Sequence, residues 1–331
     1  MSTDELPLVS IITPAYNRAS YLDETIQSIL GQDYPRIEYI VLDDGSTDNT
    51  REVLAKYSGR LVWETHPNMG ETRTVNKGLS MAQGDIVAVV NSDDPLLPGA
   101  VSEAVTFMQS HPDVLVAYPD WEKIGPSSEV IEHVRLPEHD YLYMLRRQLC
   151  IVGPGAFIRR RAFELAGMRD PEYKYVADLE YWLRLGLYGK CARIPKTLAT
   201  FRVHPDSASV SHKGVAMADE HVRLIEKFYS RPGLPLEVRK VRGEAFAWAH
   251  YEAAYACGSA RIAASGHYLK AMLYHPPTFL RNLINLRKWK TPLSIILPAP
   301  LFKVLFGGWQ GVQTVFGKGR RLLRRKVNIN G

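Results

Sequence analysis

The sequence predicts an α/β protein with a mostly parallel central sheet flanked by helices, followed by a helical C-terminal extension. Three observations carry the α/β part of that expectation. Four short apolar runs, "LVSIIT", "IEYIVL", "RLVWET" and "DIVAVV", lie within the first 90 residues. Segments with helical apolar spacing separate them. Each run ends in polar chain, and in open parallel sheets the ligand crevice lies beyond such strand ends.

The elements follow in order. Leu8 to Thr13 is apolar and β-branched, which suits a buried strand. Leu22, Ile26, Ile29 and Leu30 then share one helical face. Ile37 to Leu42 reads as the second strand, and Val53, Leu54 and Tyr57 line one side of a second helix. "RLVWET", a helix from about Glu71 to Met81, and "DIVAVV" complete the series. Strands alternating with helices argue for right-handed crossovers and a sheet covered on both faces. Beyond Leu96 the pattern mixes: "VLVAYPDW", "EVIEHV" and "TLATFRVH" read as strands. "FIRRRAFELAG" reads as a strand turning into a helix, and "DLEYWLRLGLYG" as an amphipathic helix. From Gly214 the chain reads as mainly helical, so a catalytic unit is expected over residues 1–212 and a helical region over 213–331.

The formal charge is +6, from 41 Lys and Arg against 35 Asp and Glu, but much of the excess sits in "KGRRLLRRK", Lys318 to Lys326. The remainder is nearly balanced, so no nucleic-acid partner is expected. The three cysteines, Cys150, Cys191 and Cys257, are far apart and form no C-x-x-C pair. Neither a disulfide framework nor a zinc site is indicated. With no apolar signal core at the start, a cytoplasmic location is expected. Thr291 to Lys326 joins broken apolar runs to the basic block, a pattern suited to the surface of a membrane and too interrupted to span one. A packed terminal helix with a solvated basic tail is the plainer reading.

The strand tips carry the functional signal. "TPAYNR" (Thr13, Pro14, Ala15, Tyr16, Asn17, Arg18) has Pro14 to stop the strand and Asn17 to favour a turn. In "DDGSTD", Gly45 permits a tight turn and Ser46 or Thr47 can cap the next helix. Asp43 and Asp44 remain unexplained by capping, and a strand-tip carboxylate can accept the imide N–H of uracil. "NMGETRTVNKG" offers Arg73 and Lys77, suited to a pyrophosphate or, equally, to a solvated helix face. "NSDD" follows the fourth strand. Asp94 can cap a helix beginning near Pro98. Asp93 suits Mg2+ or Mn2+, which prefer carboxylate oxygens and bridge them to substrate phosphates.

In this order and spacing, "TPAYNR", "DDGSTD", "NKG" and "NSDD" resemble the inverting family 2 glycosyltransferases of GT-A fold, over about Val9 to Ser211. The resemblance implies a nucleotide-sugar donor, with UDP as the first choice. It implies that Asp43 and Asp44 read the base, that Asn91 with Ser92 sits by the ribose, and that Asp93 holds the metal. Asn68, Gly70 and Asn76 fall in the same donor-binding set. "ADLEYWLRL" resembles the family's "EDYDLWLRL" region, whose general base falls on Asp178, with Glu180 as the alternative and Trp182 beside them. "FRVHPDSAS" points to His204 as a second metal ligand. "GPGAFIRRRAFELAG", from Gly153, resembles the stretch lining the acceptor side. The sequence departs from the family at Asn91, at Ala177 where a Glu is frequent, and at Val75 where an Arg is frequent.

The implied reaction is direct displacement at the anomeric carbon, with Asp178 taking the acceptor proton. The implied acceptor is a lipid-linked or surface glycan, reached from the inner membrane face; a homo-oligomer is left open. Asp178 as a helix N-cap and His204 as a structural histidine are the plainer alternatives. A dehydrogenase would need G-x-G-x-x-G after the first strand, and a P-loop kinase G-x-x-x-x-G-K; neither occurs. A nucleotidyltransferase would need a Gly-, Arg- and Lys-rich triphosphate loop there. A catalytically silent nucleotide-sugar binder is the reading that Asn91 and Ala177 would favour.

Overall fold

A computed structural model of the chain describes residues 6–205, 214–257 and 260–278. The membrane-surface reading of Thr291 to Lys326 lies outside the described residues. The chain divides into two compact units, residues 1–213 with 223–242, and residues 214–222 with 243–331. This differs from a single cut at 212, because 223–242 returns to the first unit.

The first unit holds one eight-stranded sheet in the order β3-β2-β1-β4-β7-β5-β6, with β8 paired to β5. Strands β1 (Val9–Ala15), β2 (Ile37–Asp43), β3 (Val62–Thr65) and β4 (Ile86–Val89) pair in parallel, as their apolar runs predict. Helices α1 (Ala19–Leu30), α2 (Thr50–Ala55) and α3 (Glu71–Met81) link them. The far half comprises α4 (Ala100–Ser110), β5 (Val114–Ile124), β6 (Val130–Val134), α5 (Tyr141–Arg147), β7 (Phe157–Arg159), α6 (Arg160–Ala166), α7 (Ala177–Leu185) and β8 (Lys190–Arg202). Here β7 runs antiparallel to both β4 and β5 and joins the two halves. The long β8 takes in residues 190–196, ahead of the expected "TLATFRVH", because it pairs in parallel along β5.

Side chains alternate between the two faces with period two. Ile11, Val41 and Ala88 pack under α1, α2 and α4, while Ile12, Ile40, Leu42 and Val87 pack under α3. Gly78 lets α3 lie close to β1: a Cβ there would meet Ile12 Cγ2 at 2.4 Å. Pro14 does not end β1, which continues beside β2 to the pair Ala15–Asp43. Pairing with β4 ends at Ile12–Val89, so the missing Pro14 N–H falls where β1 outruns that neighbour.

In the second unit, the start of α8 (Gly214–Tyr229), α10 (Arg242–Ala256) and α11 (Arg261–Tyr274) gather Ala218, Ala253, Ala254 and Ala264 into a small-residue core. The later part of α8 belongs to the first unit, where Lys227 reaches Asp170 and Glu172, each at 2.7 Å. The short helix α9 (Leu236–Lys240) follows it.

One buried ion pair locks β8 to β5. Arg193 Nε donates to Asp120 Oδ1 at 2.7 Å and its Nη2 to Oδ2 at 2.5 Å, while Leu136 N–H donates to Oδ1 at 2.9 Å. Burial pushes the Asp120 carboxyl up, but Arg193 and the Leu136 N–H outweigh it and hold it below its ordinary value. Asp120→Asn should therefore cost about 3 kcal/mol in urea unfolding at neutral pH, since it strands a buried guanidinium. A depressed folded pKa means the unfolded chain binds more protons, so this stabilisation is present above an unfolded pKa of about 3.9 and fades as pH falls through the folded value. The gap between wild type and variant should close below about pH 4.

Candidate active site

The tips of β1 and β2 are sewn together by the turn that joins β1 to α1. Asn17 adopts a left-handed conformation (φ 53°), which Asn tolerates well. Its Oδ1 accepts the Thr47 N–H at 2.8 Å, and its own N–H donates to Ser46 Oγ at 2.9 Å. Arg18 N–H donates to Thr50 Oγ1 at 3.0 Å. Ser46 and Thr47 thus serve this seam and cap no helix; α2 begins after Asn49 without a side-chain cap. Thr13, Pro14 and Ala15 are buried in β1, and Tyr16 stands 46% exposed at the tip.

Asp43 and Asp44 form the floor of this corner. Asp43 accepts from Ser46 N–H (3.0 Å), Thr65 Oγ1 (2.5 Å) and Arg51 Nε (3.1 Å). Burial raises its carboxyl, yet these donors win and hold it below the usual carboxylate range. Asp44 accepts the N–H groups of Met69 (2.7 Å) and Gly70 (3.0 Å), and Asn68 Nδ2 donates to the Asp44 carbonyl at 2.9 Å. Gly45 (φ +73°) is required there, because a Cβ would lie 2.7 Å from Asn68 N.

The adjacent acids after β4 meet different partners. Asp93 is half-buried, with His204 Nε2 at 2.9 Å and Arg18 Nε at 3.4 Å from its Oδ2. Asp94 is sealed. It accepts Arg202 N–H at 2.7 Å and Asn91 Nδ2 at 2.9 Å. Burial and the neighbouring Asp93 charge push the Asp94 carboxyl up, against those two bonds. Asp94 caps no helix: α4 starts after Gly99, with no side-chain cap. Ser92 is buried, and its carbonyl accepts from Thr25 Oγ1 at 3.1 Å. Arg202 went unremarked in "FRVHPDSAS", where a lone arginine ending an apolar strand was its only signal. Its side chain donates to the Asp93 carbonyl (2.8 Å), the Gly125 carbonyl (3.0 Å) and Glu24 Oε2 (2.7 Å).

The opposite wall is built by α3, the 167–173 loop and α7. Asp178 is exposed in the first turn of α7, whose N-cap is Val176, so Asp178 is not the cap. Its Oδ1 accepts the Leu179 N–H at 2.7 Å, and the Cys150 thiol lies 3.9 Å from Oδ2. Burial and Asp178 together push the Cys150 thiol well up. Glu180 is buried and occupied: Arg184 grips it with two bonds of 2.8 Å, and Arg231 reaches it at 3.3 Å. Trp182 is likewise buried. Gly153 packs on Trp121, where a Cβ would come within 2.9 Å of Nε1.

Along α3 the expected donor-binding residues diverge. Asn76 spends its amide on backbone: Nδ2 donates to the Arg169 carbonyl at 2.7 Å, and Oδ1 accepts Arg169 N–H at 3.1 Å. Lys77 turns to Glu64 on β3 at 2.6 Å, and Arg73, four residues earlier, is exposed. Val75 is fully buried beneath the helix. Glu71 begins α3, as its sequence position predicts. Desolvation raises its carboxyl, Arg169 opposes the rise, and Asp178 and Asp93 add to it. Its Oε1 lies 4.0 Å from Arg169 Nη1, so the start of α3 faces the 167–173 loop.

No ligating group of three or more His, Cys, Asp or Glu exists among the described residues. The donors at Asp93 and His204 nonetheless fit a hard divalent cation, which commonly takes one or two carboxylates and leaves its other positions to phosphate oxygens and water.

Residues 10–165 match the family model described as Glycosyl transferase family 2. The chain is 28% identical over 235 residues to an uncharacterized glycosyltransferase of Rickettsia typhi, covering 68% of this chain and 72% of that protein. It is 27% identical over 237 residues to the hyaluronan synthase of Pasteurella multocida, covering 70% of this chain and 24% of that enzyme. Among solved structures, S. aureus TarS residues 1–349 with UDP-GlcNAc superposes with a TM-score of 0.57 at 17% identity, covering 81% of this chain and 89% of that one. The mannosyltransferase PcManGT of Pyrobaculum calidifontis, with GDP-Man and Mn2+, gives 0.56 at 19% identity, covering 93% and 89%. These likenesses show the GT-A fold. Over residues 10–165, just under half of its length, the chain is similar to the family 2 glycosyl transferases.

Proposed function

We propose that this glycosyltransferase moves a sugar, with inversion, from a nucleoside-diphosphate donor to a hydroxyl of a glycan or lipid-linked acceptor. The observation that carries the reading is the exposed carboxylate of Asp178 in the first turn of α7, in the same compact unit as the Asp93–His204 pair. Glu180 is engaged by two arginines, so it is the poorer candidate for the base. In the reaction the acceptor oxygen bonds to the anomeric carbon as Asp178 takes its proton. The bond from that carbon to the diphosphate oxygen breaks, and the electron pair leaves with the nucleoside diphosphate. Attack from the face opposite the leaving group inverts the centre.

Asp93 and His204 would hold Mn2+ or Mg2+, which supplies Lewis-acid charge for the departing diphosphate. Arg18 adds a fixed cation beside Asp93. Tyr16 at the β1 tip and the Asp43–Asp44 corner would meet the nucleobase, with a UDP-sugar as the first choice of donor. UDP-GlcNAc in TarS supports that choice; GDP-Man in PcManGT is the contrasting case. Asn91 would sit by the ribose. The departures at Asn91 and Ala177 have structural accounts: Asn91 holds Asp94, and Ala177 is buried at the start of α7.

Nucleoside-diphosphate release from a panel of sugar nucleotides, with Mn2+ and with chelator, tests the donor side. Asp93→Ala should lower metal-dependent turnover by about 10³-fold. Asp178→Asn should lower kcat by about 10² to 10⁴-fold with little change in donor KM. Glu180→Gln should act mainly on thermal stability. Equal kcat losses in both variants would return the choice of base to either residue.

The tail from Thr291 to Lys326 supports peripheral attachment to the inner membrane surface. Among the described residues no helix is long and apolar enough to cross a membrane. A chain truncated after Lys290 should lose most of its co-sedimentation with anionic vesicles. Undiminished binding would place any membrane contact elsewhere.

A further inference from the structure

Arg169 stands out on the wall that carries Asp178. Its side chain is only 13% exposed, yet it makes no hydrogen bond among the described residues. The acid it faces, Glu71 Oε1, lies 4.0 Å away, beyond hydrogen-bond reach. None of its nitrogens is sealed from solvent. Its five donors are therefore open to solvent and not committed to a protein acceptor, so an arriving anion can take them.

The backbone of Arg169 is, by contrast, fixed. The Asn76 amide clips its N–H and its carbonyl at once, tying the 167–173 loop to α3. Arg169 also belongs to the base side of the crevice. Its loop is fastened to α7, the helix that carries Asp178, by Arg184, whose Nη2 donates to the Met168 carbonyl at 2.8 Å. Asp93, His204 and Arg18 make the donor side.

We propose that Arg169 forms an oxyanion subsite for the acceptor, taking a carboxylate or phosphate carried near the hydroxyl that Asp178 deprotonates. The planar fork matches either group with two parallel bonds. Glu71 holds the cation in place until the acceptor anion displaces it. The assignment rests on the reading of Asp178 as the base, because that reading makes this wall the acceptor wall.

The full chain, saturated with UDP and Mn2+, is titrated with glucuronate and separately with inorganic phosphate. Wild type should bind at least one of them, and Arg169→Ala should weaken that binding by about tenfold or more. Arg169→Lys should keep part of it, having the charge without the fork. Affinity for UDP itself should stay within about twofold of wild type. The Asn76 clip uses only backbone atoms of residue 169, so it survives both substitutions. Binding of glucuronate alone marks a carboxylate on the acceptor; binding of phosphate alone marks a phosphorylated one. Absence of both from wild type, or a tenfold loss of UDP affinity in Arg169→Ala, overturns the proposal. Full turnover in Asp178→Asn would instead remove the base, while leaving the anion titration to stand on its own.

Discussion

A buried guanidinium holds the two ends of this site together. Arg202 ends β8, and its side chain is enclosed by the carbonyls of Asp93 and Gly125, the Ser128 hydroxyl and the Glu24 carboxylate. Its own N–H feeds Asp94. Two adjacent acids at the end of a buried strand would repel each other and lose hydration. Arg202 makes the arrangement affordable by taking charge of the inner one. Asp94 becomes part of the frame, and Asp93 is left half-open with its backbone pinned.

The same division recurs at the second strand. Asp43 and Asp44 are adjacent, buried and saturated with donors, yet they shape the corner where Tyr16 stands exposed. Acids in this protein therefore do two kinds of work. Some set the backbone of the strand tips, and a smaller number, Asp93 and Asp178, present oxygen to the crevice. Rigid support behind a few accessible groups is what substrate positioning requires, since small displacements are costly in rate.

The regular part of this design was legible from sequence. The apolar strands, the helix from Glu71 to Met81 and the four polar tips follow from periodicity, because a residue's burial face depends on its near neighbours. The partners that sequence does not reveal share a different cause. Asp94 was read as a local cap, but its partner Arg202 lies 108 residues away. Asn76 was read as a substrate contact, but its amide is spent on Arg169, 93 residues away. Lys77 and Glu180 likewise found protein partners that helix position alone does not reveal. Arg169 matches no motif, and only the fold brings it to Glu71, 98 residues earlier.

The three-residue strand β7 has a consequence for how such an enzyme can change. Between β6 and β8 the chain leaves the sheet, returns once as Phe157–Arg159, and leaves again before β8 closes along β5. Everything between these anchor points, including Gly153, Arg169 and Asp178, forms a cassette whose ends are fixed by pairing in the sheet. The corner at the β1 and β2 tips, the proposed nucleotide site, lies on the other side of β4. Insertions and exchanges within the cassette can accumulate without disturbing that corner, so a lineage can acquire new acceptors while keeping an old donor.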